Sequence, residues 1–77
     1  MVGALEKLKR AFVVLILSLA RTYTCMVHVT QESSDEEVRS VYRKLSRRVH
    51  PDRGGSTEDQ QRLNGAHSAW SGIPRIT

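Results

Sequence analysis

The sequence has little of what usually stabilises a small domain or builds an enzyme site. Its 77 residues include a single cysteine, Cys25, so no disulfide bond can form within the chain. Apart from histidine only four side chains are aromatic, and 39% of the residues are apolar. A chain of this size buries a small share of its surface. We therefore expect one small domain with a thin core, without a deep ligand pocket or a catalytic apparatus built from several residues.

The sequence also lacks an apolar run long enough to cross a membrane. Its longest apolar run covers residues 11–20. It is well short of the roughly 20 residues needed to cross a bilayer. A basic stretch before it and the small side chain of Ala20 fit a secretory signal cleaved after that residue. Residues 1–21 therefore form a signal peptide, a signal-anchor, or a helix at about residues 4–20 that packs on the domain or contacts a membrane. A signal would direct the chain to the endoplasmic reticulum lumen, in the secretory pathway, or to a membrane. Otherwise we expect it in the cytoplasm.

Residues 35–49 show the clearest helical pattern. Their apolar side chains recur at helical intervals and make one stripe: Val38, Val41, Tyr42, Leu45 and Val49. Ser34 and Glu37 form a capping box at the start, with Ser33 and Glu36 as the alternative register. Pro51 prevents continuation of the helix, because proline has no N–H and its ring clashes with the preceding turn.

A second helix is predicted over residues 57–71. Ser56 with Asp59, or Thr57 with Gln60, can cap its start, and Gly72 ends it. Its predicted core side chains are Leu63, Ala66 and Trp70. The two helices and the short loop between them predict an all-α fold built on an antiparallel helical hairpin. We expect residues 73–77 to be a disordered tail.

Positive charge is concentrated on the first of these helices and the loop after it. The formal net charge is +4, and six cations lie in a stretch that contains one acid, Asp52: Arg39, Arg43, Lys44, Arg47, Arg48 and Arg53. Such a cluster indicates an acidic protein surface, a nucleic acid or an anionic membrane as partner, or simply a solvated helix face. A nucleic acid is disfavoured, because this face lacks stacking aromatic residues and helix-turn-helix spacing is absent.

The tripeptide His50-Pro51-Asp52 has three interpretations: a catalytic or metal site, a plain turn, or a docking tip. Cys25 is the only thiol, and two short helices supply neither a cleft nor an oxyanion site for it. The candidate metal donors are scattered along the chain: Cys25, His28, His50, Asp52 and His67. A structural zinc site needs four ligands at close spacing, and only Cys25-x-x-His28 has such a spacing. We therefore expect no catalytic residue, metal or cofactor, and no enzyme.

Residues 33–53 resemble, nearly position by position, the second helix and following loop of the J-domain of DnaJ-type (heat-shock 40 kDa family) co-chaperones. Tyr23–Val29 falls where that family has a short first helix, and Leu63–Trp70 is similar to its third helix. The resemblance implies a J-domain over residues 22–72 in which the fourth helix is absent.

The resemblance also implies a function. A J-domain binds a DnaK-type heat-shock 70 kDa chaperone and stimulates its ATP hydrolysis, which the chaperone itself carries out. On this chain the resemblance assigns chaperone contacts to loop residues His50, Pro51, Asp52 and Arg53, and to helix residues Arg39, Arg43, Lys44, Arg47 and Arg48. The alternatives are a small basic protein that binds nucleic acid or a membrane surface, and a J-like domain without stimulating activity.

Several positions depart from the family pattern, and most of these departures reduce apolar area. The family usually has other residues at these positions, namely glycine at His28, leucine at Val27, phenylalanine at Gln60, and an aromatic at both Thr24 and His67. A fully buried large apolar side chain contributes about 1.5–3 kcal/mol. The resemblance therefore supports the docking surface better than it supports the stability of the core.

Overall fold

The computed structural model describes residues 3–72, in which three α-helices and one 3₁₀ turn make up the regular structure. Helix α1 spans Ala4–Thr22, α2 spans Asp35–Val49 and α3 spans Thr57–Ser71, and the 3₁₀ turn at Pro51–Arg53 lies between α2 and α3. These residues contain no strand, so the predicted all-α class is confirmed, as are the bounds of α2 and α3. The predicted tail and the place of a fourth helix lie outside the described residues.

Both helices of the hairpin start at a serine cap. The Ser34 hydroxyl accepts a hydrogen bond from the Glu37 backbone N–H at 3.2 Å, and the Ser56 hydroxyl accepts one from the Asp59 N–H at 3.4 Å. Of the two capping pairs predicted for each helix, the structure therefore has Ser34 with Glu37 and Ser56 with Asp59. Each cap satisfies a backbone N–H that would otherwise lack a partner. Helix α2 ends where His50 turns to φ −59° and ψ 134°, the extended conformation that a following proline favours.

Helix α1 packs against both other helices and supplies much of the core. Among the described residues the buried apolar side chains are Phe12, Val13, Ile16, Leu19 and Ala20 from α1, Val29 from the connection, Val38, Leu45 and Val49 from α2, and Leu63 and Trp70 from α3. Val41, Tyr42 and Ala66 are partly buried against this cluster. In the part of the chain that the structure describes, no helix is long and apolar enough to cross a membrane.

The short helix expected at Tyr23–Val29 is not present, and this part of the prediction was wrong. Helix α1 runs on to Thr22 and then closes with two backbone hydrogen bonds, from the Cys25 N–H to the Ala20 carbonyl at 2.7 Å and from the Thr24 N–H to the Arg21 carbonyl at 3.3 Å. This pair of bonds is a Schellman motif, which requires a left-handed residue after the helix end. Thr24 takes that conformation with φ 53°, so the chain turns away and continues without helical hydrogen bonds.

Candidate functional site

The predicted binding residues on α2 and in the loop after it differ in how exposed they are. Five cations are exposed and form one continuous surface, which we call the basic ridge: Arg43, Lys44, Arg47, Arg48 and Arg53. Arg47 lies at its centre, since it lines all three of the open grooves found along this surface. The four members that belong to α2 lie close together because residues three and four apart share a helix face.

Arg39 lies one helical turn before Arg43 but is not part of the exposed basic ridge. It is half-buried, and its guanidinium carbon lies 5.6 Å from the centre of the Trp70 ring. A cation over an indole face at this distance is attracted by the ring's electron density. Arg39 therefore packs against α3 in this structure, in contrast to the other helix residues that the resemblance assigned to chaperone contact.

The His50-Pro51-Asp52 tip is exposed and locally rigid. The His50 carbonyl accepts hydrogen bonds from the Arg53 N–H at 2.9 Å and from the Gly55 N–H at 3.0 Å, and these bonds close the turn. The His50 and Asp52 side chains are 53% and 90% exposed, so both are available to a partner. Pro51 fixes the backbone between them, because its ring allows a narrow range of φ.

The imidazole of His50 has a defined orientation at this tip. Its Nδ1 accepts a hydrogen bond from the Asp52 backbone N–H at 3.2 Å. A nitrogen that accepts carries no proton in the neutral ring, so the proton lies on Nε2. Nε2–H is then a donor, while the Asp52 carboxylate, with Oδ2 3.8 Å from Nδ1, is an acceptor. The tip thus presents one donor and one acceptor on a short rigid turn.

Two glycines make the turn after the tip possible. Gly54 has φ 84°, in the left-handed region that side chains disfavour, and its N–H donates to the Pro51 carbonyl at 3.1 Å. A Cβ at Gly55 would collide with the Val49 backbone carbonyl. The chain therefore reverses direction within a few residues and brings α3 back along α2.

The basic ridge also holds the segment that replaces the expected short helix. The Lys44 ammonium donates to the Met26 carbonyl at 3.2 Å, and the Arg48 guanidinium donates to the Tyr23 carbonyl at 3.1 Å. The Tyr23 hydroxyl in turn donates to the Asp59 carboxylate at 2.7 Å, and this hydrogen bond raises the pKa of Tyr23. Lys44 and Arg48 consequently have a structural contact in addition to the role implied by the resemblance.

On the α3 side the polar departures from the family pattern are accommodated in different ways. His67 stacks on Tyr42 with ring centres 4.0 Å apart and nearly parallel planes, so it takes the place of an aromatic ring. Burial lowers the pKa of His67, and the nearby charges of Arg39 and Arg43 lower it further. Gln60 donates to Ser46 of α2 at 3.0 Å, which joins α3 to α2, and to Asn64 of its own helix at 3.1 Å.

The candidate metal donors do not cluster among the described residues. Between residues 3 and 72, no three of the histidine, cysteine, aspartate and glutamate side chains lie close enough together to hold an ion. Cys25 is half-buried beside the basic ridge, and His67 lies in the aromatic cluster on the opposite side of α2.

One part of this surface was not predicted from the sequence. Residues 24–26, which we call the Thr24–Met26 loop, form the wall of a groove opposite Lys44, Arg47 and Arg48. The only signal in the sequence is a β-branched, apolar segment after a long helix, and periodicity does not distinguish its conformations. Its position depends on the end of α1 and on hydrogen bonds from α2.

The described residues thus form a helical hairpin with a rigid polar tip and a cationic ridge, and comparison with known proteins identifies the family. The DnaJ domain model matches residues 22–72, two thirds of the chain, which therefore belongs to the DnaJ domain family. No solved structure matches it.

Among curated proteins, the chain is similar to DnaJ-related protein SCJ1 of Saccharomyces cerevisiae, with 31% identity over 64% of the chain. It is similar to the chaperone protein DnaJ of Syntrophobacter fumaroxidans, with 40% identity over 56% of the chain. It is also similar to the tetratricopeptide repeat and J domain-containing co-chaperone DNJ1 of Mycosarcoma maydis, with 36% identity over 84% of the chain. The matches cover 13%, 11% and 11% of these relatives.

Proposed function

We propose that this chain is a co-chaperone module that binds a DnaK-type heat-shock 70 kDa chaperone and stimulates its ATP hydrolysis. The observation that carries this function is the place of His50-Pro51-Asp52, at the exposed tip of a hairpin inside the matched DnaJ domain and beside the basic ridge. The chaperone performs the hydrolysis, and this chain contributes binding and the trigger.

The charges support a two-part mechanism. The basic ridge attracts an acidic surface on the chaperone and orients the chain during encounter, because clustered cations steer association at long range. The tip then makes short-range contacts through the His50 Nε2–H donor and the Asp52 carboxylate. We expect stimulation to weaken as salt is added, since the screening length falls to about 10 Å at 0.1 M ionic strength.

A single-turnover assay tests this function directly. A DnaK-type chaperone is loaded with ATP, the chain is added, and the hydrolysis rate is measured. We expect His50→Gln and Asp52→Asn to lower the stimulated rate. Loss of one partner of a charged hydrogen bond at an interface costs about 2 kcal/mol or more, a factor of roughly thirty.

The chain offers a matched control in His28→Gln. His28 is an exposed histidine in the segment before α2, outside the tip and the grooves beside the basic ridge. This variant should stimulate as the unmodified chain does. If His50→Gln stimulates equally well, or if the unmodified chain does not stimulate at all, the proposed function is wrong. The second outcome would favour a J-like domain without stimulating activity.

A further inference from the structure

Resting on the function proposed above, we propose that the groove between the Thr24–Met26 loop and the basic ridge binds an apolar side chain of the DnaK-type chaperone that is flanked by carboxylates. This groove extends the docking surface beyond the His50-Pro51-Asp52 tip and the cations of α2. It gives the chain a second point of contact, which sets affinity separately from the trigger.

The size and shape of the groove suit one protruding side chain. Its volume is about 340 Å³, and it is open to solvent along one side. Thr24, Cys25 and Met26 line one side, and cations of the basic ridge line the rest. Met26 is 78% exposed at its rim, the most exposed large apolar side chain among the described residues. Methionine is flexible and polarisable, and it adapts to apolar partners of different shape.

The positive charge of the groove determines which groups of the chaperone must lie beside that apolar side chain. Four of the lining residues are cations, Lys44, Arg47, Arg48 and Arg53, and none is an acid. Like charges at close range raise the free energy of the unbound state, and an acidic partner relieves this repulsion. A second copy of this surface would bring cations against cations. A nucleic acid would satisfy the charges and leave Met26 without an apolar contact.

The loop wall is held in place before any partner binds. The Schellman hydrogen bonds fix its start at the end of α1, and Lys44 and Arg48 hold the carbonyls of Met26 and Tyr23. Thr24 has a left-handed backbone at φ 53°, an unfavourable conformation for a β-branched residue. Such a conformation persists where the surroundings impose it, and it is found often at binding sites. A preformed wall loses little freedom on binding.

The groove is continuous with the tip. Arg47 and Arg53 line it and also line the neighbouring groove that contains His50 and Asp52. A chaperone segment that contacts the tip can therefore extend to the Thr24–Met26 loop along a surface lined by the basic ridge.

The test compares affinity with maximal stimulation. The chain is titrated into an ATP-loaded DnaK-type chaperone under single-turnover conditions, and half-saturating concentration and maximal rate are both determined. We expect Met26→Ser to raise the half-saturating concentration about tenfold, which corresponds to about 1.4 kcal/mol, with the maximal rate unchanged. Met26→Leu should restore the original concentration, because it keeps an apolar side chain at the rim.

The matched control is Val14→Ser on the outer face of α1. Val14 is also an exposed apolar residue, and it lines none of the grooves beside the basic ridge. Both parameters should be unchanged in this variant. If the unmodified chain stimulates and Met26→Ser leaves the half-saturating concentration unaltered, the groove assignment is wrong while the proposed function stands. A Met26→Ser effect on maximal rate alone would also overturn it. Absence of stimulation by the unmodified chain would refute the proposed function itself.

Discussion

Two neighbouring valines on α1 provide a sharp test of its part in the fold. Val13 is 1% exposed and lies in the core, whereas Val14 is 57% exposed on the outer face of the same helix. Val→Ala removes the same two methyl groups at both positions. Each buried methyl contributes about 0.8 kcal/mol, and the cavity left behind adds to the loss. Val13→Ala should therefore be the more destabilising change by about 2 kcal/mol.

The comparison cancels the main competing effect. Alanine favours a helix more than valine does, by up to about 0.7 kcal/mol, and this gain applies to both mid-helix positions. Val14→Ala should then be neutral or slightly stabilising. A domain of this length has a free energy of unfolding of about 4–12 kcal/mol at roughly 0.05–0.15 kcal/mol per residue. Val13→Ala should thus remain folded and measurable.

Thermal and urea unfolding of the two variants, followed by far-ultraviolet circular dichroism, measure this difference. A change of 1 kcal/mol shifts the Tm of a domain of this size by about 4–8 °C, so the two variants should differ by about 8–16 °C. Equal Tm values would refute the packing of α1 against α2 and α3. Equal Tm values for the two variants are expected if α1 acts only as a signal or as a surface helix.

Two further predictions concern positions outside α1. Thr24→Gly should stabilise the chain by about 1 kcal/mol, because glycine adopts the left-handed conformation without the strain that threonine has there; thermal unfolding measures this. The lowered pKa of His67 predicts that stability depends on pH. Between the lowered folded value and the unfolded value of 6.5 the unfolded chain binds more protons. Stability should be complete above pH 6.5 and fall as the pH decreases below it. Urea unfolding at several pH values measures this effect.

Each of these predictions has a control of opposite or null effect. Thr22→Gly lies within the last turn of α1, where glycine should destabilise the helix by up to about 1 kcal/mol. If Thr24→Gly destabilises by the same amount, the strain at φ 53° is not real. His67→Tyr keeps a ring stacked on Tyr42 and cannot titrate below pH 7. An unchanged loss of stability at low pH in that variant would assign the effect to another group.

The helices α2 and α3 were predictable because their signals are local. A serine cap, an apolar stripe and a stop residue lie within each segment, and no distant contact is needed to interpret them. The tip was predictable for the same reason, because Pro51 restricts both itself and His50. The side chain of Arg39 was not, since its direction depends on Trp70, a residue of another helix.

The packing of α1 could not be decided from its own pattern. Phe12, Val13, Ile16 and Leu19 lie on one side of the helix, but Val14 and Leu17 on the other side make the whole run apolar. A continuous run of this length fits a secretory signal and a core helix equally well. The packing of α1 against α2 and α3 is tertiary, so it depends on residues of the other two helices and not on the pattern of α1 alone.

The polar departures in α3 and the contribution of α1 are linked through Phe12. Its ring centre lies 5.3 Å from that of Trp70 and 5.8 Å from those of both Tyr42 and His67. One α1 residue thereby contacts the rings of both hairpin helices at the position where the family pattern loses an aromatic side chain. Helix α1 makes these contacts on the side of α2 that carries Val38 and Leu45, and the basic ridge remains exposed. Helix α1 therefore adds apolar contacts to the core from outside residues 22–72, and it does so without covering the basic ridge that the proposed function requires.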